Sequence, residues 1–362
     1  MKTNISKVSF DTLIFIRIFE CEVTFYLEEN RMKEKNNRQK WKRVLLAGMT
    51  AWSIISGCGI LGVEEEQKTH NSLGNEESSM EIITFQDDLG REVKVRSAKR
   101  VVCLTSSFAD IWHLAGGVEQ IVATTDATWK YFDLPLKEDT VNLGSSKELN
   151  LEQLIACEPD LVLASCGTDR NVELESILTD MGITTAYFSV DNIDDYLRML
   201  DICTQITGKV ENYTTYGTDV KREVELAIER ADDTQPSVLY IRATGSSCKV
   251  KNSRGSVLGE MLEELGCENI ADRENRLLEQ LSLEVIIEED PQYIFVILQG
   301  TDSSAAEEIL ENTLLKNPAW AELTAVQEGR YYVLDSNLYN MKPNARWGEA
   351  YEKLADILYP EK

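Results

Sequence analysis

The chain has 362 residues, with 62 acidic side chains against 37 basic ones and a formal net charge of −25. That balance excludes a nucleic-acid-binding role built on phosphate neutralisation, and a hydrophobic content of 43% excludes a wholly disordered chain. The length suggests two domains or lobes, no apolar run reaches the roughly 18–20 residues a bilayer span needs, and the eight cysteines show no Cys-x-x-Cys pair or disulfide framework.

Charge is unevenly placed. Residues 1–57 hold ten basic and six acidic side chains, leaving 27 basic against 56 acidic in the remainder. Lys33 to Arg43 is basic, Val44 to Ile55 is apolar, and Ser56-Gly57-Cys58 follows. This is the three-part layout of a secretory signal over residues 32–57. The small residues before Cys58 resemble a bacterial lipobox, in which the cysteine is lipidated and becomes the new N-terminus. The alternative is a short buried helix with a chance cysteine. Residues 1–31 then read as an upstream extension. Residues 58–80 are polar and aperiodic, a flexible tether, which makes His70 a poor metal-ligand candidate.

From residue 81, short β-rich runs alternate with helical patterns, the signature of βαβ units with parallel sheets. Val101–Leu104 reads as a buried strand, and Ser106-Ser107 opens a helix that ends at Gly116-Gly117. His113 sits on the apolar side of that helix and reads as structural. Ile121–Ala123, Leu161–Ala164 and Thr184–Phe188 are further strands, and Ile193–Ile206 is a helix stopped by Gly208. Glu211–Asp233 is charged and free of proline, a helix of roughly 35 Å at 1.5 Å per residue and a candidate strut between lobes. A second α/β set follows: strand Val238–Ile241, helix Val257–Leu265, strands Ile294–Ile297 and Tyr331–Leu334, and a closing helix Glu349–Leu358.

The halves carry a weak internal repeat. Asn150-Leu151-Glu152 leads through Glu158-Pro159-Asp160 to Leu161–Ala164, and Ser282-Leu283-Glu284 leads through Asp290-Pro291-Gln292 to Tyr293–Val296. Each copy is a helix, a proline break and a buried strand. A glutamate at each helix start is favoured by the helix dipole alone, yet the matched positions also suit partner docking.

These features, with Phe85-Gln86-Asp87-Asp88-Leu89-Gly90-Arg91-Glu92-Val93, Lys99-Arg100-Val101-Val102 and Ser256–Gly266, resemble the iron-complex and vitamin B12 class of ABC-transporter substrate-binding proteins. The resemblance covers about residues 81–360. It implies an N-terminal lobe (81–210) and a C-terminal lobe (234–362), each Rossmann-like α/β, joined by a single long α-helix (211–233). It further implies ligand held in the cleft between them, without enzymatic chemistry and without a resident cofactor. It implies that Glu152 and Glu284 dock onto a membrane permease with its ATPase, and that the protein is a monomer lipid-anchored at the extracellular face of the cell membrane.

Ligands of open α/β sheets bind beyond the carboxyl ends of the strands. That rule selects Ser106, Trp129, Tyr131 and Ser165 in the first lobe. In the second it selects Arg242, Arg254, Gln299, Tyr339, Lys342, Arg346 and Trp347. Cations mixed with aromatics suit an anionic, partly aromatic chelate, so a ferric siderophore is the leading ligand. Packing of the closing helix is the competing explanation for Trp347. A bare metal site is disfavoured because such sites need several histidines with carboxylates. Haem stays open through Tyr131, Tyr240 or Tyr339, as does cobalamin. Two alternatives are an α/β enzyme, for which no nucleotide loop, nucleophile elbow or metalloprotease motif is present, and a sensor acting without a permease.

Overall fold

The computed structural model describes residues 82–96, 98–300 and 303–360. The expected signal peptide, Cys58, the tether and His70 lie outside them. All described residues fall in one compact unit of the chain, Glu77–Lys362.

An antiparallel hairpin comes first, β1 (Ile83–Gln86) and β2 (Glu92–Val95). Its Asp87-Asp88-Leu89-Gly90-Arg91 turn is an anchor. Asp87 is 3% exposed; its carboxylate accepts from the backbone amides of Leu89 and Arg91 at 3.1 and 3.0 Å and from the Arg91 guanidinium at 2.6 Å. Arg91 in turn donates to Glu175 at 2.6 Å, and Asp88 accepts from the Ser189 amide at 2.6 Å. The turn is therefore fastened to the end of a distant strand.

That strand belongs to a five-stranded parallel sheet of β3 (Val101–Cys103), β4 (Ile121–Thr124), β5 (Val141–Asn142), β6 (Leu161–Ser165) and β7 (Thr185–Phe188), in the order β5-β4-β3-β6-β7. The second sheet contains β8 (Ser237–Thr244), β9 (Cys248–Lys251), β10 (Glu268–Asn269), β11 (Tyr293–Gln299) and β12 (Tyr331–Leu334). Its order is β10-β8-β11-β12, all parallel, with β9 running antiparallel to β8. The α/β reading with parallel sheets is correct. Continuous apolar runs such as Val101-Val102-Cys103 are required because both faces of such sheets are covered.

Alternate residues of each strand enter different apolar layers. Val102, Leu104 and Val162 face the outer layer of the first sheet, and Leu239, Ile241 and Val296 face that of the second. Between the sheets lies one shared core. Val101, Cys103, Leu163 and Phe188 reach it from the first sheet, and Tyr240, Phe295 and Ile297 from the second. The helices Ser106–Leu114, Ile193–Thr207, Val257–Glu264 and Trp347–Leu358 fill it. Fully burying each such side chain contributes roughly 1.5–3 kcal/mol.

The expected 23-residue helix is shorter. The chain is helical over 212–228, π-wound over Thr214–Thr218 and regular over Asp219–Ile228. It ends because Asp232 turns the chain back through the Thr234 amide at 3.0 Å, and Gln235 (φ 45°) precedes Pro236. Val220, Val224 and Ala227 enter the shared core, against Trp347–Leu358. Gly348 permits that approach: a Cβ there would lie 2.5 Å from the Glu223 Cβ.

Candidate functional site

Both sheets reverse strand order at one place, between β3 and β6 in the first and between β8 and β11 in the second. These are the switch points beyond which ligands of open sheets sit. Ser106 and Ser165 follow β3 and close β6; Thr244 and Gln299, register partners, close β8 and β11. Helix amino termini open at the same edges, at Ser106 and Val257, and the N-cap hydroxyls Thr105 and Ser256 are buried without a partner. Both helix ends favour an anion.

The β8–β9 side of the second sheet, across β8 from β11, is strongly basic. Arg242 on β8 stands opposite Lys249 on β9, and Lys251 opposite Tyr240, so all three cations share one face of the sheet. Burial, then the neighbouring Arg242 and Lys249, push the Lys251 pKa below its ordinary value. Arg254 follows on a loop that is rigid: Ser253, 2% exposed, donates from its amide and hydroxyl to Asp272 at 3.1 and 2.6 Å, and the Gly255 amide donates to Glu260 at 3.0 Å. None of Arg242, Lys249, Lys251 and Arg254 has a carboxylate within ion-pair distance among the described residues. Positive charge gathered on one side of a sheet in so acidic a chain raises the local potential for an anion.

The remaining candidates divide. Trp129 is exposed on the helix after β4, and Tyr131 beside it is half-buried with the Lys130 ammonium 5.1 Å from its ring centre. Ser106 is buried, and the Ser165 hydroxyl accepts from the Gly167 amide at 3.1 Å. Gln299 is half-buried at its strand end. Lys342 crosses to the first half and pairs with Asp191 at 3.0 Å. Arg346 is spent locally on Glu349, with contacts of 2.6 and 3.0 Å. Hydrogen bonds from Arg346 and Lys353 hold the Glu349 carboxyl down at about 2.

Two candidates need correction. Tyr339 is 2% exposed and its hydroxyl donates to the Ala350 carbonyl at 3.0 Å. Trp347 is fully buried against Tyr351, ring centres 6.3 Å apart. Both are core side chains, so the packing explanation for Trp347 holds. Tyr240 is likewise buried, its phenol pushed up to about 12 by burial, which leaves Tyr131 as the accessible tyrosine of the three considered for haem.

Glu152 and Glu284 occupy equivalent places. Asn150 and Ser282 cap their helices by accepting from Gln153 and Val285 amides. Each helix ends in a left-handed residue, Glu158 (φ 45°) and Asp290 (φ 40°), directly before a proline. Helices packed on a parallel sheet run against the strands, so both glutamates lie at the switch-point edge. Both are exposed and carry no ion pair among the described residues. His113, half-buried on the Ser106–Leu114 helix, points no partner at the cleft; its Nδ1 is buried without a hydrogen bond.

Lys249, Lys251 and Asp191 were not among the expected residues. The Cys248-Lys249-Val250-Lys251 alternation carries the strand signal for the first two. A separate cavity of about 380 Å³, lined by Ile83, Arg96, Lys99, Trp112, Gln120 and Thr207, sits at the opposite edge of the first sheet, where the helices end. Among the described residues no three His, Cys, Asp or Glu side chains converge on a bare metal position, and no helix is long and apolar enough to cross a membrane.

This architecture, two parallel sheets each with a switch point, is that of an α/β binding protein. The chain belongs to the periplasmic binding protein family, whose profile matches residues 101–338, a family of solute binders and not of enzymes. It is similar to an uncharacterized ABC transporter substrate-binding lipoprotein, YvrC, of Bacillus subtilis, 23% identical over 329 residues that cover 89% of this chain and 96% of the relative. It is also similar to the Fe(3+)-citrate-binding protein YfmC of the same organism, 24% identical over 296 residues, 80% of this chain and 88% of that one. In fold it matches the apo periplasmic haem-binding protein RhuT from Roseiflexus sp. RS-1, with a TM-score of 0.60, 21% identity, and coverage of 73% and 98%.

Proposed function

We propose that this chain is the substrate-binding component of an ABC importer that captures an anionic iron chelate, a ferric siderophore or iron carboxylate complex, and hands it to a membrane permease. The carrying observation is the set of cations Arg242, Lys249, Lys251 and Arg254 on and after the β8–β9 hairpin, which carry no ion pair among the described residues. The helix amino termini at Ser106 and Val257 add to the attraction for negative charge, and Trp129 and Tyr131 offer flat apolar surface to chelate rings. The relative named for ferric citrate supports the same chemistry. Glu152 and Glu284 are the docking points for permease arginines. Cys58 is the lipid anchor that keeps the protein on the outer face of the membrane, in accord with a relative named as a lipoprotein.

Protein isolated from its own host is the test, by native mass spectrometry and visible absorbance. A bound mass with a charge-transfer band supports the reading. A Soret band or a corrin spectrum refutes it in favour of haem or cobalamin.

A further inference from the structure

Lys342 differs from the other cleft cations of the second half. Arg242, Lys249, Lys251 and Arg254 have no ion-pair partner among the described residues, whereas the Lys342 ammonium lies 3.0 Å from Asp191 Oδ1. The partner comes from the first half, just beyond the end of β7 at Phe188. Asp191 is held by its own neighbourhood independently of the lysine. Its Oδ2 accepts from the Ser189 hydroxyl at 3.0 Å, and its amide donates to Asp195 at 3.1 Å. Lys342 has no second carboxylate within ion-pair distance among the described residues and carries its charge on a flexible four-carbon stem. The pair is only partly shielded, with side chains 23% and 34% exposed, so an incoming anion can reach it. Burial opposes ionisation of Asp191, yet the Lys342 ammonium and the hydrogen bonds from Lys342 and Ser189 hold its carboxyl below the usual range.

We infer that Asp191 is a resident counter-ion that an anionic ligand displaces from Lys342, and that it thereby sets how much negative charge a ligand must carry to be accepted. This rests on the anionic-chelate reading of the cleft. A neutral ligand gains nothing from Lys342, because the lysine keeps its internal carboxylate. A polyanionic ligand replaces that carboxylate and gains the Lys342 charge. Specificity of this kind arises from a built-in competitor as much as from attraction. Lobe motion is not needed, since only the lysine stem has to turn.

The experiment is a titration followed by tryptophan fluorescence, with iron(III) citrate as the anionic probe and iron(III) desferrioxamine as a probe without excess negative charge. Asp191→Asn keeps the shape and the Ser189 contact but frees Lys342. Iron(III) citrate should bind it about tenfold more tightly than wild type, as expected for one full unit of coupling. Iron(III) desferrioxamine should not gain. In Asp191→Asn combined with Lys342→Gln the citrate gain should vanish. Asp191→Ser serves as a second variant should the asparagine protein melt early. Wild-type binding of citrate without a gain in either variant overturns the counter-ion role and leaves the chelate reading standing. Failure of both probes with every variant defeats the chelate reading, and this inference with it.

Discussion

Asn344 joins the two halves at a point where the shared core meets a buried acid, and its removal has a calculable cost. The residue is fully buried, with φ at 55°. Its Nδ2 donates to the Ser107 carbonyl at 2.9 Å and to Asp110 Oδ2 at 2.8 Å. Asn344→Gly removes both bonds while tolerating the left-handed backbone. Leaving a buried acceptor unpaired costs roughly 1–3 kcal/mol, and more when the acceptor is charged. Asn344→Ala removes the same bonds and leaves at positive φ a side chain without the polar group that eases this conformation for asparagine. The expected order of stability is wild type, then glycine, then alanine, with a loss for alanine of at least roughly 1–3 kcal/mol.

The loss should also depend on pH. Burial raises the Asp110 carboxyl above its ordinary value, while the Asn344 bond and His113 pull it down; Tyr196 is the other titratable group facing it. A carboxyl raised on folding stabilises the native state below the unfolded pKa, and that contribution is lost as pH rises through the folded value. Without Asn344 the folded value climbs further. Urea denaturation should therefore show a larger deficit for Asn344→Gly at about pH 7 than at about pH 4, where protonation of the raised carboxyl is more favoured. Equal deficits at both pH values would refute the role given to Asp110, and a deficit below about 0.5 kcal/mol would refute the latch itself.

Two further outcomes follow from the architecture. Because one apolar core spans both sheets, large hinge opening is costly, and small-angle scattering curves with and without bound chelate should be nearly superimposable; a marked compaction would contradict the shared-core argument. Reversing both Glu152 and Glu284 to lysine should abolish uptake of iron by cells and leave chelate affinity in solution unchanged, whereas a parallel loss of affinity would remove the docking role.

The strands with continuous apolar runs were legible in the sequence, because a doubly covered parallel strand is hydrophobic at every position. Val101–Cys103, Leu161–Ser165 and Tyr293–Gln299 are of this kind. The repeat around Glu152 and Glu284 was legible for a related reason: cap, helix, proline and strand are local features. The short strands Val141–Asn142 and Glu268–Asn269 have too few residues to show a period. Helix 212–228 was overestimated because its end is set by the Asp232 turn and by Arg230 reaching Asp356 at 2.7 Å, a contact 126 positions away. In the site, cations at strand ends could be read, but their partners could not. Lys342 meets Asp191 only through the fold, and Trp347 and Tyr339 look like ligand aromatics until packing shows them in the core. Lys249 and Lys251 were hidden by a hairpin strand whose polar-apolar alternation is only four residues long.

The cluster of unpaired cations is tested most directly by binding to a variant that removes it. Titration of iron(III) citrate into wild type and into Arg242→Gln/Lys249→Gln/Lys251→Gln should show a loss of at least about a hundredfold for the variant, at roughly 1 kcal/mol or more per cation in a partly desolvated cleft. Affinity in the variant equal to that of wild type, with its melting temperature unchanged, would contradict the assignment of this edge as the anion-binding site.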